Sequence, residues 1–153
     1  QRQMCIRDSS NALCIGTNLE QATISSANLQ GADLSWAILK FSTLSSSNLF
    51  GAVLSQANLY GATVNGSDLT STVLANANLS GANFNGSTMI GADLSGANLV
   101  NAIFTGVNFT NANLAGADAR GNSNNYNGAT WSNTTCPDGT NSDNNNGSCV
   151  NNR

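Results

Sequence analysis

The sequence predicts an all-β solenoid, a backbone that coils through four short, nearly flat sides, and three observations predict it. Large apolar residues recur at every fifth position, and from Leu19 to Leu114 the spacing never slips. A small residue stands two positions before nearly every one of them, and glycine often stands two positions after. Neither common period accounts for a spacing of five, since a helix places apolar residues three and four apart and a strand alternates strictly. Glycine and β-branched residues also argue against a long helix.

Inward pointing at offsets of two is the alternation of a strand, and the chain turns where that alternation breaks. With four units to a coil, the large residues sort into four columns. The first side carries Leu19, Leu39, Leu59, Leu79 and Leu99, and the second Ile24, Leu44, Val64, Phe84 and Phe104. The third carries Leu29, Leu49, Leu69, Met89 and Phe109, and the fourth Leu34, Leu54, Leu74, Leu94 and Leu114. The small column is mostly alanine, with Ser42, Ser47, Ser67, Ser87, Thr17 and Thr72 among the exceptions and Val107 the one bulky departure. These units make about five full coils, and at an inter-strand spacing of about 4.8 Å they would form a core roughly 24 Å long. Each buried side chain of this kind contributes about 1.5 to 3 kcal/mol, so stability is spread along the stack.

Units such as "GADLS" and "GANLV" resemble the A(D/N)LXX pattern of the pentapeptide-repeat family, and the resemblance runs from about Ala12 to Gly121. It implies a right-handed quadrilateral β-helix. Cys14 and Ala119 depart from the large-residue column at its two ends, and Cys14 is expected to be a buried thiol.

The chain divides into 1–10, 11–121 and 122–153. Met4 to Ser9 reads, codon by codon, like a translation of ATG TGT ATA AGA GAC AG, which resembles the mosaic-end adapter of transposase-based sequencing libraries. Residues 1–10 are therefore expected to be a non-native leader, with Cys5 outside the cysteine count and the native N-terminus lost. A bacterial source is expected from the adapter and the family resemblance.

Composition narrows the function classes. Charged residues are 8% of the chain, the net charge is −3, and there is no histidine, which removes His-based acid/base chemistry and the commonest metal ligand. Five basic residues scattered over the length cannot build a phosphate-tracking patch, so no direct nucleic-acid ligand is expected. No apolar run reaches the roughly 20 residues that span a bilayer. A packed rod with Asp33, Asp68, Asp93 and Asp118 spread along its wall offers no convergent pocket, so neither an enzyme nor a cofactor is expected. The Asn and Asp positions are expected to bond the turn backbone.

Three binding readings remain. Some members of the family mimic DNA and act on DNA gyrase, but that requires a dense acidic surface, and the repeats hold only Glu20 and four aspartates, partly offset by Lys40 and Arg120. A ladder of small polar groups runs along the second side, with Thr23 and Ser25, Thr43 and Ser45, and Thr63 and Asn65 flanking the core residues. It resembles the threonine arrays of ice-binding solenoids, although such residues also simply suit exposed strands. The third reading is a protein contact, since Trp36, Phe41 and Tyr60 gather with Ile38 and Lys40 at outward or corner positions, with Phe50 on the opposite side. The alternative for these rings is packing against the coil surface.

After Gly121 the register of five is expected to fail, with Tyr126 and Trp131 as lids over Phe104, Phe109 and Leu114. Beyond them lies an Asn-rich segment with little to bury, which needs tying down. Zinc would need four ligands, and the segment has neither a Cys-x-x-Cys pair nor histidine. Asn141, Asp143 and Asn145 alternate as in a calcium loop, but the glycine falls late at Gly147 and the closing position is Asn152, not glutamate. A disulfide between Cys136 and Cys149 is the expected fastener, and it implies export from the reducing cytoplasm. The reading is thus a non-catalytic structural or protein-interaction rod within a larger exported bacterial protein, periplasmic or secreted, with an unidentified protein partner and an option to self-associate through coil ends.

Overall fold

The computed structural model describes residues 9–121 and 125–149. The chain returns to the same place every twenty residues, because parallel bridges join positions twenty apart on all four sides. On the first side, for example, Asn18, Ile38, Asn58, Asn78, Asn98 and Asp118 form one continuous column.

Each five-residue unit uses its backbone groups in the same way. The Leu34 N–H donates down to the Val53 carbonyl at 2.7 Å, and the Asp33 N–H donates up to the Ala12 carbonyl at 2.9 Å. The Ala37 N–H closes the corner on the Leu34 carbonyl at 3.0 Å. The third residue of that corner turn has positive φ, and so does its equivalent at every corner from Asn11 to Gly121. Glycine suits such a position because a Cβ there crowds the backbone, and asparagine tolerates it because its short amide can bond the local backbone. Glycine, asparagine, serine or glutamine holds all of these corners except two, Trp36 and Phe41.

The large-residue columns fill the interior and are essentially inaccessible from Cys14 to Leu114. A row of hydroxyls crosses this core along the third side, where Ser47, Ser67 and Ser87 are buried and each donates to a carbonyl of the preceding coil. Toward the C-terminal end the filling becomes aromatic. Phe84 stacks on Phe104, and Phe104 on Tyr126, each at 5.3 Å between ring centroids, while Phe109 stacks on Trp131 at 4.7 Å.

The coil pattern continues across positions 10 and 121. At the first, Ser9 is buried in the large-residue column and its N–H donates to the Asn28 carbonyl at 2.9 Å, so the coil pattern begins before residue 11. The rest of the proposed leader, residues 1–8 with Cys5, lies outside the described residues. At the second, the register slips and resumes. Asn98 pairs with Asp118 twenty residues on, but Asn108 pairs with Thr130 and Asn113 with Thr135, twenty-two residues on. Tyr126, Trp131 and Cys136 thereby enter the large-residue columns below Phe104, Phe109 and Leu114, and Thr134 enters the small column, where its hydroxyl donates to the Phe109 carbonyl at 2.7 Å.

Past Cys136 the chain reverses. Thr135 pairs with Asn141 in antiparallel fashion, the Cys136 N–H donates to the Thr140 carbonyl at 2.7 Å, and the Gly139 N–H returns to the Cys136 carbonyl at 2.8 Å. Proline, aspartate and glycine in "CPDGT" supply the turn chemistry. The one helical element among the described residues is a single 3-10 turn, Ser142–Asn144.

Cys136 and Cys149 are joined by a disulfide, both buried, with Cα atoms 5.2 Å apart. Cys14 corrects an expectation. It is buried in the large-residue column but is disulfide-bonded, not a thiol, and its partner lies outside the described residues.

Candidate interaction surface

No cavity opens in the wall among the described residues, and no group of three metal-ligating side chains gathers there. Most carboxamides and carboxylates along the wall are occupied locally. Asp33 accepts the Ser35 N–H at 2.9 Å, Asp93 the Ser95 N–H at 3.0 Å, and Asn58 the Tyr60 N–H at 3.2 Å. Each bond satisfies the first exposed amide of the following corner.

Charge is equally sparse. Asp118 and Arg120 form an exposed ion pair at 2.7 Å, and the guanidinium, through its hydrogen bonds and charge, holds the Asp118 carboxyl below its usual range. Asp138 is also lowered, chiefly because the Thr140 hydroxyl and N–H donate to it. The alternating residues that suggest a calcium loop take part in local bonds instead. Asn141 caps the 3-10 turn, and Asp143 accepts the Asn133 N–H at 2.9 Å. Asn145 donates to the Asn141 carbonyl at 3.1 Å.

The aromatic candidates fall on one side of the rod. Trp36 and Phe41 sit on the two corners that bound the first side in one coil, with half-buried Ile38 midway between them. Tyr60 lies one coil further, against Phe41, with ring centroids 5.3 Å apart and the planes near perpendicular. All three rings remain open to solvent: Trp36 is 59% exposed, Phe41 52% and Tyr60 44%.

Phe41 also leans on the next coil. A Cβ on Gly61 would come within 2.7 Å of its ring, so glycine is what leaves room for that ring beside the next coil. Trp36 has no aromatic partner among the described residues, and exposed Ile15 stands one coil before the Ser35–Trp36 corner. Phe50 is exposed on the corner between the third and fourth sides, diagonally away. Ile15 and exposed Leu13 are the surface residues that sequence reasoning passed over. Their signal was present, since both flank an inward position, where the period sends side chains out.

The polar ladder forms as a column on the second side. Thr23, Thr43, Thr63 and Asn83 bridge in succession, and Ile103 ends the run. Ser25, Ser45 and Asn65 follow the core residues of that side, and the Asn65 amide oxygen is enclosed without a hydrogen-bond partner.

A family model described as pentapeptide repeats matches in eight copies, over residues 10–40, 47–86 and 87–121. The chain belongs to the pentapeptide-repeat family. Proteins of this family adopt a right-handed quadrilateral β-helix, and the coil geometry above is of that kind. Among solved structures, this pentapeptide-repeat chain is similar to Rfr23 from the cyanobacterium Cyanothece. The two are 30% identical, with a TM-score of 0.53, covering 71% of this chain and 84% of that one. It is also similar to HetL, a protein involved in heterocyst differentiation regulation from the cyanobacterium Nostoc, at 29% identity and a TM-score of 0.41. That match covers 87% of this chain and 63% of HetL, so the chain spans less than two thirds of that protein. A third is QnrB1, a plasmid-mediated fluoroquinolone resistance protein, at 18% identity and a TM-score of 0.42, covering 84% of this chain and 65% of that one. No curated protein matches the sequence. No helix among the described residues is long and apolar enough to cross a membrane.

Proposed function

We propose that this chain is a non-catalytic interaction module: a rigid rod of about five full coils with a stapled C-terminal cap, part of a larger exported bacterial protein, which presents Trp36, Phe41 and Tyr60 to a protein partner. The observation that carries this reading is the presence of two bulky aromatics, solvent-exposed, on left-handed corners that small or amide residues hold elsewhere. Such a conformation costs about 1 to 2 kcal/mol for a residue with a Cβ, and no gain in core packing offsets it here. Export is supported by the Cys136–Cys149 bond, since structural disulfides persist in oxidising compartments.

The test is cross-linking from a photoreactive side chain placed at Gln56, beside the aromatic face, in an extract of the source cells. A discrete adduct that is lost in a Trp36→Gly, Tyr60→Ser double variant supports the reading. An adduct pattern indifferent to the double variant removes it.

A second reading, a surface-binding solenoid such as an ice binder, is favoured by the in-register column of Thr23, Thr43 and Thr63. Absence of thermal hysteresis and of ice recrystallisation inhibition closes it. DNA mimicry stands third, because the wall carries too few carboxylates to imitate a phosphate backbone.

A further inference from the structure

Asparagine followed by glycine is chemically reactive toward itself, and the sequence holds four such pairs: Asn65–Gly66, Asn85–Gly86, Asn127–Gly128 and Asn146–Gly147. The glycine nitrogen, having lost its proton to solvent hydroxide, attacks the asparagine Cγ and expels ammonia, closing a succinimide ring. Water then opens the ring at either carbonyl and leaves aspartate or isoaspartate. The net change is amide plus water to acid plus ammonia, and no oxidant or reductant takes part. Glycine favours the attack because no side chain crowds its nitrogen.

The reaction needs an amide N–H open to base and a peptide plane free to turn toward the side chain. The inner corners withhold both. The Gly66 N–H donates to the Asn85 carbonyl at 3.0 Å, and the Asn65 carbonyl accepts the Ser46 N–H at 2.9 Å, so that peptide is held at both ends. The next is held in the same way, with the Gly86 N–H on the Thr105 carbonyl at 2.9 Å and the Asn85 carbonyl on the Gly66 N–H. In the cap, the Gly147 N–H donates to the Ser142 carbonyl at 2.9 Å.

Asn127–Gly128 occupies the corner one coil below Thr105–Gly106, and the Asn127 carbonyl accepts the Gly106 N–H at 2.9 Å. The Gly128 N–H has no acceptor among the described residues. The chain reverses after Cys136, and no coil among those residues lies beneath this corner to supply one. Asn127 and Gly128 are both exposed, and the Asn127 side chain bonds no described residue. Corner shape does not separate the pairs, since φ is 63° at Gly66, 65° at Gly86 and 69° at Gly128. The missing acceptor does.

We infer that Asn127 is a self-modification site, which water converts to aspartate or isoaspartate while the inner pairs stay protected by the stacked coils. The rod thereby gains a negative charge at its aromatic end. In the isoaspartyl product the backbone runs through Cβ and Cγ, and the carbonyl that accepts the Gly106 N–H becomes part of a free carboxylate. The corner is then one atom longer beside Tyr126, the residue stacked on Phe104.

The experiment incubates the folded chain, its cap disulfide intact, in mildly alkaline water enriched in heavy oxygen, and follows each asparagine–glycine pair by peptide mass mapping. The same chain in guanidinium chloride gives the rates without the fold. In denaturant, Asn65, Asn85 and Asn127 should convert at comparable rates. In the folded chain Asn127 should convert about tenfold or more faster than Asn65 or Asn85, equivalent to about 1.4 kcal/mol of local opening that the inner corners must undergo first. Asn146, with its glycine amide bonded, should lag behind Asn127. Isoelectric focusing of the aged chain should show a more acidic species. Asn127→Gln should remove it, because the longer side chain closes the ring far more slowly. The inference is overturned if Asn65, Asn85 or Asn146 converts as fast as Asn127 in the folded chain, or if Asn127 does not convert there at all. It is equally overturned if Asn127 leads by the same margin in denaturant, since the reactivity would then belong to local sequence and not to the missing acceptor.

Discussion

The hydroxyl of Ser87 stands between the two ends of the corner turn that contains Ser67. It accepts the Ser67 N–H at 3.2 Å and donates to the Val64 carbonyl at 2.8 Å, the pair that would otherwise bond directly, as Ala37 and Leu34 do. Ser67 in turn serves the Ser47 N–H and the Leu44 carbonyl of the coil before. Ser87→Ala would leave a buried amide and carbonyl of one coil without the group supplied by the next. A loss of about 1 to 3 kcal/mol is expected, measured by denaturant unfolding. Ser42→Ala should cost less, because the Ser42 hydroxyl bonds only the Leu39 carbonyl of its own turn.

Trp36→Gly should raise stability, not lower it. Removing the Cβ relieves the left-handed corner by about 1 to 2 kcal/mol, while the added freedom of the unfolded chain returns about half of that. An increase of a few tenths to 1 kcal/mol is the expected outcome, and a clear decrease would show that the ring packs against the coil after all.

Phe104→Ala removes the middle ring of the Phe84–Phe104–Tyr126 stack. Large-to-small changes of this kind cost about 3 to 5 kcal/mol. The loss should concentrate in the C-terminal coils, read as faster amide exchange at Tyr126 and Thr130 than at Leu39 or Leu59.

Reduction of the Cys136–Cys149 bond, or its replacement by two serines, should cost about 3 kcal/mol in the chain-entropy model. Proteolysis should then begin in the segment after Cys136 and leave the coils before it intact.

Stability should change in acid. Asp118 and Asp138 have folded pKa values below the ordinary carboxylate value, so their contribution is complete above that value and fades as the pH falls through the lowered ones. With no histidine to titrate, the melting temperature should be level from about pH 8 to 5 and begin to fall only below about pH 4. A transition near pH 6 would require a group that this chain lacks.

The repeat was legible because its signal is redundant, with every unit stating the same inward pair, so that Leu69 or Leu94 could be assigned without reference to any other part of the fold. The corners were legible where glycine marks them and silent at Trp36 and Phe41, whose side chains carry no sign that their backbone is left-handed. The slip after Gly121 could not be measured from the sequence, because the polar run between Ala119 and Tyr126 contains no large apolar residue to carry the phase. Cys136 was read as a fastener alone. Its second role, completing the column under Leu114, becomes visible only once the two-residue slip is known. The bonding of Cys14 left no trace in the period, since a thiol and a half-cystine fill the same inward position.

The hairpin that follows Cys136 also gives the rod a direction. Up to Leu114 each coil offers its successor a parallel partner, so on geometry alone the pattern could be copied without limit. At Thr135 the available bonds are taken by Asn141 running the opposite way, and a strand arriving in parallel finds that position already occupied. On that side the molecule carries its own stop signal for growth, written in the chain's reversal and independent of length or charge.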